Sequence, residues 1–475
     1  MQIKKNDFNK ILIIFLFSHL FIWTLIPSLS NNNLPLDTIE ALAWGSNLNW
    51  GYSKHPPLSA FFVEGFYQIF GNRDWVYYLL SQIFVIAAFF IVFKFSQDFF
   101  KKKIYSFFSI LLLEGIYFYN FTTPEFNVNV CQLPFWALTV YYCWKGVKQN
   151  DYSSWLLFGL FAGLGVLSKY LFFYLLIAVD IFFIYLIVKK KFQFRCFVSL
   201  ISFALVLLPH LIWLTNNDFI TITYAMHRTG LNTFTFIEGH LFQPIIFLFK
   251  QFGILIPFFI MLFSIILKLK SKINFKDKKF IFLLTINLAP IILMFFTSMI
   301  LGIKIRTMWM TPFYLFLGVL FIYVMQNQIS LKRIKYFSSI FLILFILSPA
   351  SYLFVSITEK DKRTDYPGKK IAYFVQENWK NKFVNQIGIV GGDEWHAGNL
   401  IYNLNPRPEW DNIFENDKNF MLKNTDDGFI LIGDKNILST ICTNLTKGNN
   451  LSAALTAAVF IEVEKQGICM IGKKK

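Results

Sequence analysis

The run ILIIFLFSHLFIWTLIPSL, residues 11–29, contains no charged side chain. As a helix rising 1.5 Å per residue it would extend about 28 Å, close to the hydrocarbon thickness of a bilayer. Val76–Phe95, Leu171–Val188 and Phe197–Leu214 are apolar blocks of similar length. Across all 475 residues, 55% are hydrophobic and only 15% charged, and Phe occurs 59 times. A soluble protein of this size carries more charge. The first run follows the basic stretch Met1–Lys10, as a secretory leader would. It is long, however, and no small-x-small cleavage site follows it, so it reads as a permanent first span.

Working outward, apolar runs predict spans near 11–30, 75–98, 104–120, 127–145, 154–168, 171–188, 196–214, 241–267, 279–301, 307–326 and 336–356. With the N-terminus inside, the inner loops hold about 21 Lys and Arg and the outer loops about 6. That asymmetry sets the orientation. The net charge of +17 therefore belongs to membrane loops and gives no sign of a nucleic-acid partner. From about Ser356 polar residues rise and no further span-length run occurs. Gly368–Phe383 predicts an amphipathic helix, and Gln386–Val390, Phe429–Ile432 and Ala458–Val463 predict strands. The expected fold class is a polytopic α-helical membrane protein of about eleven transmembrane helices, residues 1–356. A small C-terminal α/β soluble domain, residues 357–475, would lie on the non-cytoplasmic side. Cys131, Cys143 and Cys196 fall in or beside spans, while Cys442 and Cys469 fall in the outer segment, where a disulfide can persist. Sequence does not fix the distance between them.

Chemistry-bearing residues gather in the outer loops. The first loop holds Asp37 and Glu40, three apart and on one face if helical, then Trp44, Trp50-Gly-Tyr52 and His55-Pro-Pro-Leu58. Two carboxylates and an imidazole can supply a general base or, with Glu125, a metal site. The aromatic side chains offer flat faces to a sugar ring. An interfacial loop with an aromatic belt accounts for the same residues. The second loop, Thr122-Thr-Pro-Glu125, places a carboxylate where Pro124 would open a helix. Lys169, His227-Arg228 and Lys304-Ile-Arg306 are outer cations suited to phosphate, though a lysine there also snorkels. Glu114, Asp180 and Lys250 lie inside apolar runs, where ionisable groups are costly and often functional.

Taken in order, these pieces resemble glycosyltransferase family 39, of the membrane-embedded GT-C class. That class includes protein O-mannosyltransferases and the lipid A aminoarabinose transferase, and the subgroup resembled is the bacterial RgtA/B/C/D-like transferases. The matching pieces are Asp37…Glu40 with Trp50-Gly-Tyr-x-x-His-Pro-Pro-Leu58, Thr123-Pro-Glu125, and Gly163-Leu-Gly-x-Leu-Ser-Lys169-Tyr170. Pro209-x-x-x-Trp213-x-x-Asn216, Lys304-x-Arg306-x-x-Trp309-x-x-Pro312, Tyr366-Pro-Gly368 and Gly392-Asp-x-Trp395-x-Ala-Gly-Asn399 follow. The family often has Asp where Glu125 stands, and an adjacent acidic pair where Asp37 and Glu40 are separated. Asp37 is the better match to the family's catalytic aspartate.

The resemblance implies inverting transfer of a sugar from a polyprenyl-phosphate-linked donor to a lipid, glycan or protein acceptor. Asp37, with Glu40, would activate the acceptor hydroxyl. Lys169, Arg228 and Arg306 would hold the donor phosphate, and Trp44, Tyr52, His55 and Glu125 would shape the sugar or acceptor pocket. No cofactor is required, although a divalent metal is compatible with the mechanism. The implied location is a bacterial inner membrane with the C-terminal domain in the periplasm. Two other readings are open from the residues alone. A transporter or flippase of lipid-linked saccharide would use Glu114 and Asp180 near the midplane. A non-catalytic assembly subunit would tolerate loss of Asp37 and Lys169.

Overall fold

The structure is a computed structural model that describes residues 5–230, 233–268, 273–411, 426–447, 455–463 and 465–475. The chain forms two compact units. One comprises Met1–Leu29, Trp50–Leu58 and Tyr78–Thr358, and the other Ser30–Asn49, Ser59–Tyr77 and Glu359–Lys475. The boundary expected near 356 is the last of several places where the chain passes between them.

Among the described residues, seven helices are long and apolar enough to cross a membrane. They are Phe8–Ser30, Asp74–Ser96, Tyr170–Val188, Phe194–Asn216, Glu238–Ile265, Lys278–Leu301 and Leu331–Thr358. Thr307–Tyr314 and Leu317–Gln328, bent by 51°, make an eighth if counted as one span. The other three expected spans fall on shorter pieces, each for a visible reason. In 104–120 the helix Lys103–Leu111 gives way to the tight turns Leu112–Gly115 and Tyr117–Tyr119. Glu114 is buried there and bonds His19 Nδ1 at 2.7 Å, while Asn120 Nδ2 donates to its backbone oxygen at 3.0 Å. A buried acid needs such partners, and these are the ones the structure gives to the acid flagged in the sequence. Gly115 also abuts the backbone of Phe258, where an added Cβ would lie 2.7 Å from Phe258 Cα.

In 127–145 the chain forms Val128–Cys131 and then Leu133–Gln149. Asn127 caps the first of these, accepting from the N–H groups of Asn129 and Val130. The helix therefore starts after Glu125, which the sequence had placed in its first turn. Tyr152–Ser168, a 17-residue helix capped by Asp151, packs on Val198–Asn216 through Gly159 and Gly163. Without a hydrophobic drive between helices in lipid, small residues at this spacing let backbones approach.

The second unit holds a five-stranded sheet of β1 (Ile387–Gly391), β2 (Glu409–Asp411), β3 (Gly428–Asp434), β4 (Ala457–Val463) and β5 (Gln466–Gly472), in the order β2-β1-β3-β5-β4. β1 is parallel to β2 and β3, and β5 is antiparallel to β3 and β4. The expected helix spans Gly368–Lys382, and the expected strands correspond to β1, β3 and β4. The sequence reading did not foresee β2 or β5. Ile389, Phe429, Leu431, Cys469 and Ile471 pack against Leu438, Cys442 and Leu445 of helix Lys435–Lys447. Cys442 and Cys469 are joined, with Cα atoms 5.7 Å apart.

This sheet is built together with two early segments of the chain. Helix Leu36–Ser46 packs on helix Glu394–Asn403, with Gly398 so close that a Cβ would lie 2.8 Å from Ile39 O. Arg407 Nη1 donates to Glu64 Oε2 and Nη2 to Leu42 O, both at 2.7 Å, and the guanidinium lies 3.7 Å from the Tyr67 ring centroid. Asp74 accepts from Tyr402 OH and from Lys369 Nζ, each at 2.7 Å.

Candidate functional site

In the first unit, residues from four stretches surround a cavity of about 280 Å³. The loop segment contributes Lys54, His55 and Pro56. The end of helix Tyr152–Ser168 delivers Lys169 and Tyr170. Helix Ile220–Arg228 adds Thr221, Tyr224 and Arg228, and Ile303, Ile305 and Trp309 close the other side. Gly302 makes that last wall possible. It ends helix Lys278–Leu301 in the left-handed region at φ +64°, which glycine adopts without a side-chain clash.

Lys169 leaves its helix in an extended conformation and is buried. Its Nζ donates to Asn129 Oδ1 at 2.6 Å and lies 5.2 Å from the Trp309 ring centroid. The amide oxygen and the aromatic face both favour the charged ammonium. Burial, reinforced by the charges of Lys169, Lys54 and Arg228, holds the His55 imidazole far below its usual range, down to about 3. His55 is thus a neutral group in a cationic cavity. The apolar lining, including Leu171, Met294, Ile303 and Ile305, raises the value of each charge to an incoming anion.

The loop is fastened by a network that the sequence reading missed. His210 Nδ1 lies 2.5 Å from Trp50 O, and its Nε2 lies 2.7 Å from Tyr170 OH. A carbonyl only accepts, so in the neutral ring Nδ1 carries the proton and Nε2 accepts from Tyr170. Thr221 Oγ1 donates to Tyr52 O at 2.7 Å, and Gly51 sits on the Trp213 ring. A lone His in an apolar run gave no sign of this role. Asn129 is the other missed residue, and the Asn127-x-Asn129 pair after Pro124 was its signal.

The structure brings His55, Lys169 and Arg228 to one cavity and adds Lys54. Tyr52 is buried beside it in the chain but does not line it. Arg306 falls between the lining residues Ile305 and Trp309 and stands at the start of the turn Thr307–Tyr314. Glu125 accepts from Asn127 Nδ2 at 3.4 Å. Asp37, Glu40 and Trp44 belong to the second unit, on helix Leu36–Ser46. Asp37 and Glu40 are half-buried on one face, as their spacing predicts, and Trp44 is buried. Among the described residues, no three His, Cys, Asp or Glu side chains are grouped as metal ligands.

Comparison with known proteins agrees with this architecture. Residues 54–213 match the family described as dolichyl-phosphate-mannose-protein mannosyltransferase. No curated protein matches the sequence significantly. Two solved structures of ArnT from Cupriavidus metallidurans are similar over 98% of this chain and 98% of theirs. The one bound to undecaprenyl phosphate gives a TM-score of 0.65 at 10% identity, and the apo one 0.58 at 11%. The chain is a multi-pass membrane protein with the GT-C fold of the ArnT structures and a small C-terminal sheet domain.

Proposed function

We propose that the protein transfers a sugar from a polyprenyl-phosphate-linked donor to an envelope acceptor (lipid A, a glycan or a protein hydroxyl) with inversion at the anomeric carbon. The carrying observation is the cavity where Lys54, Lys169 and Arg228 surround a neutral His55 between apolar walls. Several fixed cations in a poorly hydrated pocket suit a phosphate on a lipid, and the ArnT structure with undecaprenyl phosphate supports that partner by analogy.

In this reading Asp37 takes the acceptor hydroxyl's proton as its oxygen attacks the anomeric carbon. The carbon–oxygen bond to phosphate breaks with its electron pair leaving on the phosphate. The ring passes through an oxocarbenium-like state. Lys169, Arg228 and Lys54 stabilise the charge that grows on the leaving oxygen, with Arg306 as a further phosphate contact. Glu40 supports Asp37 from the same helix face, and Trp44, Tyr52, His55 and Glu125 shape the binding surfaces. A divalent metal is not part of the mechanism proposed here. The disulfide Cys442–Cys469 supports a periplasmic C-terminal segment, and with the loop charges it supports a bacterial inner membrane with the N-terminus inside.

The test is mass spectrometry of envelope glycolipids and glycans from cells carrying wild type, no protein, or Asp37→Asn at matched expression. A species heavier by one sugar and present only with wild type is expected. If Asp37→Asn made the same products, the catalytic assignment would fall. If wild type and null matched in every fraction, the transfer reading would fall and flipping of lipid-linked sugar would be the next activity to test.

A further inference from the structure

The surface where Arg363, Tyr366, Trp395 and His396 meet has no part in the reaction above. Helix Glu394–Asn403 buries Glu394 and then Ala397 to Tyr402, leaving Trp395 and His396 of its first turn half-buried. Tyr366 lies with its ring centroid 5.5 Å from that of Trp395 and 6.0 Å from that of His396. The Arg363 guanidinium lies 5.5 Å over the Trp395 ring. Asp393 Oδ1 accepts from the N–H groups of Trp395 and His396 at 3.1 Å, and Oδ2 lies 2.6 Å from His396 Nδ1. With Nδ1 committed to the carboxylate, Nε2 is the imidazole atom left for a ligand, on a side chain 24% exposed.

Two further observations give this cluster a direction. It stands at the carboxyl end of β1, between its parallel neighbours β2 and β3, where the strand order reverses. Open α/β sheets bind ligands at such a point. In addition, the N–H groups of Asn32 and Asn33 donate to Thr364 O at 3.0 and 2.9 Å, and Asn33 Nδ2 donates to Asn399 Oδ1 at 2.9 Å. The segment carrying Arg363 and Tyr366 is thus tied to the chain just before Leu36–Ser46, the helix of Asp37 and Glu40. Flat aromatic faces receive the C–H face of a pyranose, while an imidazole and a guanidinium bond its hydroxyls or an acidic substituent.

We propose that Tyr366, Trp395, His396 and Arg363 form a saccharide-binding subsite that takes the sugar part of the acceptor. The word acceptor rests on the transferase reading, whereas the saccharide specificity does not. If the stack served only to fasten residues 363–366, no sugar would bind there.

The experiment is saturation-transfer difference NMR on the full chain in lipid nanodiscs. The probes are maltotriose, N,N′-diacetylchitobiose and methyl α-mannoside, compared across wild type, Trp395→Ala, Trp395→Phe, His396→Ala and Asp37→Asn. At least one probe is expected to show ring-proton saturation with wild type and with Asp37→Asn. That signal should fall at least fivefold in Trp395→Ala and His396→Ala and be largely kept in Trp395→Phe. No saturation of any probe, or a signal unchanged in both Trp395→Ala and His396→Ala, overturns the subsite. If Trp395→Ala does not fold, His396→Ala and Arg363→Ala carry the comparison. Binding retained by Asp37→Asn with transfer lost supports both readings. Binding with transfer still intact in Asp37→Asn removes only the catalytic assignment.

Discussion

Replacing Arg407 tests whether the C-terminal segment holds the helix of Asp37 in place. Arg407 and Glu64 are nearly buried, with side chains 10% and 9% exposed, so their 2.7 Å contact is only weakly screened. Arg407→Ala removes that ion pair, the bond to Leu42 O and the contact with the Tyr67 ring together. It leaves Glu64 with Gln68 Nε2 as a neutral partner. Stranding one member of a buried pair costs about 3–5 kcal/mol, which is close to a thousandfold in the ratio of folded to unfolded protein. For a unit of this size that is roughly 10 °C in melting temperature. A double replacement, Glu64→Met with Arg407→Met, strands no charge and should recover most of the loss. The assay is thermal unfolding of the detergent-solubilised full chain, read by trypsin cleavage within the C-terminal segment, with sugar transfer measured in parallel. The single variant should melt early and transfer slowly. The reasoning is refuted if Arg407→Ala melts within a degree or two of wild type, or if the double variant is no better than the single.

Three other expectations follow from geometry. Lys169→Met removes the buried cation above Trp309, and transfer should drop about 100- to 1000-fold, the usual effect of losing one charge-stabilising donor; a loss under threefold would exclude Lys169 from the phosphate site. His55 has a folded pKa of about 3 against 6.5 when unfolded, so protonation favours the unfolded loop. Its contribution is intact above pH 6.5 and declines as pH falls toward 3, so His55→Gln should flatten the loss of thermal stability between pH 6.5 and 4; parallel curves would contradict the assignment. Converting both Cys442 and Cys469 to Ala opens a loop of 27 residues, for which chain entropy predicts about 3.5 kcal/mol; equal urea midpoints for the C-terminal segment with and without the bond would refute it.

The long apolar runs made most of the membrane helices legible, because a 20-residue block without charge has few other uses. Lys103–Leu111 and its following turns were not legible as a break. The reason for it, His19 bonding Glu114, joins residues 95 positions apart. β5 escaped notice because it pairs on both sides and is buried along most of its length, so no polar–apolar alternation marks it. Of the site, Lys169 and Arg228 were nominated as isolated outer cations, yet the cavity they share with Lys54 depends on loop geometry set by His210 and Gly302. Asn129 shows the same limit, since nothing in a single Asn says which lysine it will meet. The first outer loop read as one aromatic unit, whereas its helical part belongs with a segment more than 300 residues later.

The second unit is assembled from pieces separated by the whole stretch from Tyr77 to Glu359, 282 positions in the chain. At about 5–20 residues per second of synthesis, the early pieces wait roughly 15–60 s for their partner. During that interval the face of Leu36–Ser46 that will meet Gly398 has no mate. Chaperones, the translocation machinery or the lipid surface must shelter it, and a chain stopped before Glu359 would expose it permanently. Quality control that surveys exported loops thus has a natural checkpoint in this protein: whether its last quarter has arrived.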